Sequence, residues 1–458
     1  MNVTARPNNS ESALTALAGR IVQPGDPNWD EARSAWNLAV DQQPALVVFP
    51  ESAEDAVAAL ELARAFGLGV TTQGTGHGAA PLGPLTDTVL VKTERMREIE
   101  IDPETRIARI DAGVRALELI EAAAHHGLAP LAGTSPDIGI VGYTLGGGLS
   151  WFGRKYGLAA SNVRAIELVT PDGRLVRADH EREPELFWAL RGGGGSFGIV
   201  TALELRLVPV STVYAGILWW PIERDREVLH AFAELTRNDP PDELTAVGRY
   251  LRMPPLPDVP EPMRGKSFVA VEVVHLGEPR KADDLLAPLR ALDPAMDFVQ
   301  LIPTPALAHM HLEPEQPVPV FGEGILLDGL PSEAVDEIVW TAGAASSAPF
   351  VSVEIRQLGG ALRRAGAENG ALLAIDAEFL IYAVGITPTA DAAAQVQAHL
   401  ELTLEAVRPW SAQQAVLNFA DTRRDPGTLW TEDAHRRLLR IKAKLDPDNL
   451  IRSNQPVQ

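Results

Sequence analysis

Residues 44–79 read PALVVFPESAEDAVAALELARAFGLGVTTQGTGHGA, and the order of elements in this stretch decides how the amino-terminal half folds. Ala45–Phe49 is a short apolar strand closed by Pro50. Ser52 stands where a helix N-cap is needed, Asp55 follows three residues on, and Gly67 supplies the stop, so SAEDAVAALELARAFG reads as a helix. Leu68–Thr72 resumes as strand and runs straight into Gln73-Gly74-Thr75-Gly76-His77-Gly78-Ala79. A strand–helix–strand unit therefore ends on a loop that sets an imidazole among residues too small to pack against it. A tight turn, a phosphate cradle and a cofactor attachment point are the readings open to that loop.

Outward from this unit, REIEIDPETRIARIDAG gives two strands about a turn at Pro103, followed by a helix near Ala116–His126 that Gly127 ends. His125 and His126 sit at that helix end, where the helix dipole favours them. A second glycine-rich stretch, AGTSPDIGIVGYTLGGG, spans 132–148. Ala165–Thr170 and Arg174–Ala178 flank the hairpin signal PDG, and RGGGGSFGIVTALELRLVPV closes this half with an alternating strand. From about residue 213 the texture changes. GILWWPI, SFVAVEVVHLG, FVSVEIRQLGG, AEFLIYAVGIT and QAVLNFAD read as strands. DREVLHAFAELTRN, KADDLLAPLRAL, SEAVDEIVWTAGAA and AAAQVQAHLELTLEAV read as helices between them. This order predicts a mainly antiparallel sheet covered by helices, an α+β layer. The Pro-rich stretches at 253–265 and 313–324 read as loops.

Composition removes several classes of function. Of 458 residues 46% are hydrophobic, enough for a large core and for two domains. The chain has 40 Lys+Arg against 61 Asp+Glu, a net charge of −21, and no basic run to offset it. Such a surface repels nucleic acid and anionic membrane, so neither is an expected partner. The absence of cysteine removes disulfides, thiolate nucleophiles and zinc–thiolate sites. No basic n-region precedes an apolar h-region, and no apolar run approaches the ~20 residues of a membrane span. A cytoplasmic protein is the expectation. His309-Met310-His311 with Glu313 has ligand-type side chains, yet H-x-H in a Pro-rich loop fixes no convergent geometry, and no metal is expected.

Gly193, Gly195 and Gly198 match G-x-G-x-x-G, but the residues after them are β-branched and strand-like. A dinucleotide fingerprint must open a helix there. The kinase glycine loop is likewise excluded, since its companion motifs are missing. These glycines instead let backbone approach something bulky. The two earlier loops can each aim several backbone N–H groups into one concavity, which suits an acidic protein that must bind a diphosphate without basic side chains.

On these residues the chain resembles a known family. The stretch 44–79 is similar to the start of the flavin-binding domain of the vanillyl-alcohol-oxidase/para-cresol-methylhydroxylase (PCMH) superfamily. GYTLGGGLSWFGRKYGLAASNVRAIELVTPDGRLV, ELFWALRGGGGSFGIVTALELRLVPV and KAKLDPDNLIRSNQP narrow the resemblance to the berberine-bridge-enzyme-like (BBE-like) branch. The resemblance implies a two-part FAD-binding domain of the PCMH type, 1–212 (core about 42–209) plus a returning segment 420–458, and a substrate domain at 213–419. It implies FAD contacts at Gln73, Gly74, Thr75, Gly76, Gly78, Ala79, Thr134, Ser135, Ile138, Gly139, Gly142, Gly146, Gly147, Gly148, Gly198, Ile199, Val200 and Asn454. It further implies a covalent bond from His77 to the flavin 8α carbon. Hydride would pass from a C–O, C–N or activated C–H bond of a small molecule to flavin N5, with O2 as reoxidant, in a monomer or homodimer.

Three positions in the two loops depart from the family pattern. Ser135 stands where doubly linked members carry cysteine, so His77 is left as the sole tether, and Gln73 and Thr75 replace the usual Arg and Gly before the histidine. On the catalytic side, Val416 occupies the place of a tyrosine base while Asn418 is kept. Glu354, Arg356 and Gln357 on one strand, and Tyr382 on another, are the remaining candidates. Period-two alternation puts Glu354 and Arg356 on one face and Gln357 on the other. Trp219, Trp220, Phe379 and Tyr382 are candidate pocket walls. Without a tyrosine base, a dehydrogenase with another acceptor, a non-redox cyclase or isomerase, and a flavin-binding protein stand as alternatives to an oxidase.

Overall fold

The computed structural model describes residues 7–237, 240–257, 259–366 and 369–458. Its first sheet grows from the opening stretch. Ser52 Oγ accepts from the Asp55 amide at 3.2 Å, and helix Ala53–Phe66 ends on Gly67 with φ of 68°. That left-handed turn is open to glycine at little cost. Ala56, Ala59, Leu60, Leu62 and Ala63 recur at helical spacing and pack on Val48, Val70, Val89 and Val91. The flanking strands Leu46–Val48 and Gly69–Gln73 do not pair with each other; each runs parallel to Thr88–Lys92, which lies between them. The outer edge of Gly69–Gln73 is covered by the carboxy-terminal tail, since Val70 N donates to Leu450 O and Arg452 N to Val70 O.

The second sheet is antiparallel, in the order Ile99–Asp102, Ile107–Asp111, Ile199–Arg206, Val163–Val169, Leu175–Ala178. Helix Glu432–Leu445 packs beside it. Its Lys442 is buried, donating to Ser196 O at 2.9 Å, Asp446 Oδ2 at 2.6 Å and Ile451 O at 2.8 Å. Trp430 Nε1 donates to Gly192 O. A Cβ on Gly193 would lie 2.1 Å from Ala189 O and 2.9 Å from Leu438 Cδ2, so glycine stands there where its own helix and the returning segment crowd the backbone, whereas no atom lies within 4 Å of a Cβ on Gly195.

The third sheet has eight strands and is antiparallel throughout, in the order Met296–Asp297, Thr212–Pro221, Ser267–His275, Leu244–Arg252, Ser352–Gln357, Phe379–Ile386, Val320–Leu327, with Gln300–Pro303 also on Thr212–Pro221. Helices Asp225–Arg237, Pro279–Arg290, Ser332–Ala342 and Ala390–Val407 supply the cover of one face, where Leu218, Trp220, Tyr250, Val271, Ile355 and Phe379 are buried. The expected α+β layer is present. Its details correct the sequence reading in three places. Leu244–Arg252 and Val320–Leu327 are strands, the second beginning inside the Pro-rich stretch that reads as loop. QAVLNFAD is not a strand: Leu417–Phe419 is a single tight 3-10 turn.

Candidate functional site

Strand Gly69–Gln73 delivers the histidine loop against a neighbouring turn. Thr75 O accepts from Trp36 N at 3.0 Å, and the Trp36 ring stacks on His77 with centroids 4.2 Å apart and planes 18° from parallel. Thr75 Oγ1 lies 2.8 Å from His77 Nδ1 and accepts from Gly139 N at 3.4 Å, which ties the two glycine-rich loops together. On the other side His77 Nε2 is 3.3 Å from Asp137 Oδ1. Ser135 Oγ donates to the same carboxylate at 2.9 Å and Trp36 Nε1 at 2.5 Å. Burial pushes the Asp137 carboxyl up, but His77, Ser135 and Trp36 together hold it below its ordinary value. Asn454 Nδ2 fastens the far side of the loop by donating to Gly78 O at 3.1 Å.

Several polar atoms here are buried without partners. Both amide atoms of Gln73 are unpaired, and His77 Nε2 lacks an aligned hydrogen bond. Native proteins rarely leave such groups unmet unless a ligand meets them. The glycines separate into two kinds. No atom lies within 4 Å of where a Cβ on Gly142 would be, and beside Gly74 the nearest is 3.8 Å away, so neither glycine is demanded by the protein's own packing. Gly146, Gly147, Gly148 and Gly198 are different. Their Cβ positions fall 2.9 Å from Asn418 Nδ2, 2.7 Å from Leu372 Cδ2, 2.6 Å from Ala159 Cβ and 2.4 Å from Val169 O. Ile199 and Val200 come next as strand residues paired with Val169 and Leu168. The open glycines and the unpaired amide fit a flat cofactor with polar edges; the crowded ones shape the wall behind it.

The face of the large sheet opposite its helices, buried against Tyr143, Trp151, Phe152 and Met310, carries the charges. Register puts Trp219, Ala270, Arg249, Glu354, Tyr382 and Gly324 in one row, and Glu272, Val247, Arg356 and Leu380 in the next. Paired positions across antiparallel strands share a face. Gln357 pairs with Phe379 and so lies on the helix-covered side with Phe379 and Trp220, away from Glu354. Of the four aromatic wall candidates, only Trp219 and Tyr382 are on the face opposite the helices. Arg249, Glu272, His311, Glu354 and Arg356 form one buried chain of ions. Arg249 meets Glu272 at 2.9 Å, Glu272 meets His311 Nδ1 at 2.5 Å, His311 Nε2 meets Glu354 at 3.1 Å, and Glu354 meets Arg356 at 2.9 Å. Burial would raise the Glu354 carboxyl, yet Arg356 and His311 hold it far below the ordinary range. Burial lowers His311, and the two glutamates more than reverse that. His311 is thus spent on glutamates and His309 on Glu315; among the described residues no group of His, Asp and Glu is placed to hold a metal ion.

The returning segment joins this face to the glycine run. Asn418 Oδ1 accepts from Gly148 N at 2.9 Å and its Nδ2 donates to Tyr143 O at 3.0 Å, so its amide is committed to backbone. Val416 is buried among Leu149, Leu326, Leu358 and Leu372 and offers no proton chemistry. The Phe419 ring meets Tyr382 edge-on at 5.5 Å, and the Arg356 guanidinium lies 5.5 Å from Phe419 and 5.6 Å from Trp151. Next in line is Asp421, which the sequence reading passed over. Its Oδ2 accepts from Gly322 N at 3.2 Å and from the Tyr382 hydroxyl at 3.4 Å. Burial and the nearby Glu323 raise this carboxyl to about 7. Burial and then Asp421 push the Tyr382 phenol well above its ordinary value, so the tyrosine stays protonated and donates. A visible signal for Glu272 existed: it is the lone charge inside the apolar run SFVAVEVVH.

Comparison with known proteins gives this geometry a context. Residues 44–179 match the FAD binding domain family. The chain is 32% identical to the FAD-linked oxidoreductase YgaK of Bacillus subtilis (strain 168) over 223 residues, 48% of this chain and 49% of the relative. It is also 32% identical to (R)-6-hydroxynicotine oxidase of Paenarthrobacter nicotinovorans over 206 residues, 45% of each chain. The chain thus spans about half the length of the curated relatives it matches. The structure of BBE-like 1 from Physcomitrella patens superposes with a TM-score of 0.83 at 22% identity, covering 98% of both chains.

Proposed function

From a chain that carries an FAD binding domain at 44–179 and has the BBE-like fold throughout, we propose an FAD-dependent oxidoreductase that oxidises a small, partly apolar molecule at a C–O, C–N or activated C–H bond. The FAD supplies a hydride acceptor at N5 and, in an oxidase, passes the electrons to O2. In this reading 1–212 with 420–458 hold the cofactor and 213–419 present the substrate. Gln73, Gly74, Gly142, Ser135 and Asn454 border the cleft that receives it, and His77 is its covalent tether. Gly146–Gly148 and Gly198 act as scaffold behind that cleft, and Asn418 as the strut that holds the glycine run against the sheet.

The observation that carries the reading is Asp421. A hydride can leave an alcohol or an ammonium only as its proton leaves too, so a base must stand on the substrate side. With Val416 in the tyrosine position, Asp421 is the group in this region whose raised pKa suits that task near neutrality. Tyr382 donates to Asp421 and orients it. Arg356, locked to Glu354, and the rings of Trp151, Trp219 and Phe419 offer a wall with one fixed charge and an apolar remainder. The function of the (R)-6-hydroxynicotine oxidase named above supports oxidase chemistry over the non-redox alternatives. A cytoplasmic, monomeric or homodimeric protein remains part of the proposal; among the described residues no helix is long and apolar enough to cross a membrane.

The tether is tested by the flavin itself. Purified protein should show a flavin spectrum, and after denaturation the flavin should stay with the polypeptide. His77→Ala should bind FAD that denaturation releases entirely. Wild-type protein that gives up its flavin on denaturation would refute the covalent bond, and protein that never carries flavin would refute the function.

A further inference from the structure

Resting on the reading of the chain as an oxidoreductase of small molecules, we propose that Arg356 anchors a carboxylate carried by the substrate, several bonds from the carbon that is oxidised, with Trp151 beside it as a second donor. The guanidinium is only half engaged. Its Nη2 donates to Glu354 Oε2 at 2.9 Å, while its Nε is buried and has no partner. Trp151 Nε1 and the Tyr143 hydroxyl, both in the wall opposite the helices, are likewise buried and unpartnered. Arg356, Trp151 and Tyr143 are each less than a tenth exposed, so bulk water does not meet these atoms. An indole or guanidinium N–H can only donate. What completes such a site is an acceptor.

Charge decides which acceptor fits. The buried chain sets Arg249, Arg356 and His311 against Glu272 and Glu354, and the two glutamates raise His311, so three cations face two carboxylates. Among the neighbouring acids, Glu323 is paired with Arg424 and Asp421 takes up its proton near pH 7. Glu313, 3.6 Å from His311 Nε2, is partly open to water. One more buried carboxylate is therefore accommodated, and a planar guanidinium with an open edge suits it better than a neutral carbonyl. The rings of Trp151 and Phe419, 5.6 and 5.5 Å from the guanidinium, hold it in place.

Register sets the length of the ligand. Arg356 pairs with Leu380, and Tyr382 stands two residues along on the same face, a diagonal neighbour at about 7–8 Å. Tyr382 in turn donates to Asp421. An acid held at Arg356 thus brings its alcohol or amine carbon to Asp421 only when the two groups are about a benzene ring apart. A para-(hydroxymethyl)benzoate meets that requirement and lactate does not.

Titration of the flavin-loaded protein reads this without turnover. The probes are para-methylbenzoate, phenylbutanoate and hexanoate, each beside its methyl ester, followed by calorimetry and through the visible flavin band. At least one acid should bind wild type about ten- to a hundredfold more tightly than its ester, the range of a hydrogen bond to a charged group. Arg356→Lys keeps a cation for Glu354 but loses the planar edge. It should bring the acid-to-ester ratio close to one while ester affinity stays. Trp151→Phe keeps a ring, loses the N–H, and should lower the ratio severalfold, which keeps the test open if the lysine variant does not fold. The proposal is overturned if no acid binds wild type more tightly than its ester, or if the variants keep the wild-type ratio. A resting flavin spectrum shifted in Arg356→Lys would then assign the guanidinium to a flavin carbonyl. Failure of the underlying reading looks different: the wild-type protein would carry no flavin, or a flavin that no alcohol or amine bleaches.

Discussion

Asp421→Asn should lower turnover by about a hundred- to ten-thousand-fold, the usual span for removing a general base. The wild-type rate should climb as pH rises through about 7, where the Asp421 carboxyl ionises, and the variant should lack that limb. Its stability should move the opposite way. The folded state holds a proton on Asp421 that the unfolded carboxyl has already lost, so this contribution is fully present below the ordinary aspartate value and fades as pH passes about 7. Above that pH the wild-type protein carries a buried charge whose cost asparagine avoids. Asp421→Asn should therefore unfold at higher denaturant than wild type at pH 8, by a few kcal/mol at about 1.4 kcal/mol per unit, and match it near pH 4. Loss of activity with gain of stability cannot be misfolding. An unchanged pH profile in the variant would remove Asp421 from the proton path.

Glu354→Ala should be the most destabilising single change on the sheet face. It leaves the Arg356 guanidinium and His311 buried without their shared carboxylate, which costs about 3–5 kcal/mol when one partner of a buried pair is removed. Replacing Glu354 and Arg356 together by methionine should cost less than Glu354→Ala, because the guanidinium is no longer left as a buried unpaired charge. The pH dependence comes from the lowered Glu354 carboxyl. Its contribution is present above the ordinary glutamate value and is lost as pH falls through the depressed one, so acid should weaken wild type more than Glu354→Gln. Urea unfolding at pH 7 and pH 4 reads all of these. Equal stability of Glu354→Ala and wild type would mean that the ion chain is not closed in solution.

Local signals made much of this legible. Ser52 and Gly67 cap their helix as their side-chain chemistry requires, and alternation correctly separates Glu354 and Arg356 from Gln357. Leu244–Arg252 was hidden because Gly248 and Arg249 interrupt its apolar run, and both make sense only in place. Gly248 lies under Phe232, and Arg249 pairs with Glu272. Val320–Leu327 was masked by the prolines just before it. QAVLNFAD has strand composition, but the Asn418 amide captures the backbone of Gly148 and Tyr143 and bends the segment into a turn. Asp421 could not be found from sequence, since its pKa is raised by burial and by Glu323, some 100 positions away, against hydrogen bonds from Gly322 and Tyr382 that lower it. The crowded glycines carry the same lesson. A glycine pattern marks a close approach without saying whether cofactor or protein is approaching.

The central claim is that substrate oxidation passes electrons to a flavin held between the glycine loops and the charged sheet face. Anaerobic mixing of the wild-type protein with a panel of small alcohols and amines, followed through the visible flavin band, tests it most directly. At least one compound should bleach the band, and air should restore it with formation of hydrogen peroxide. Product formed while the band stays at full intensity would contradict the claim.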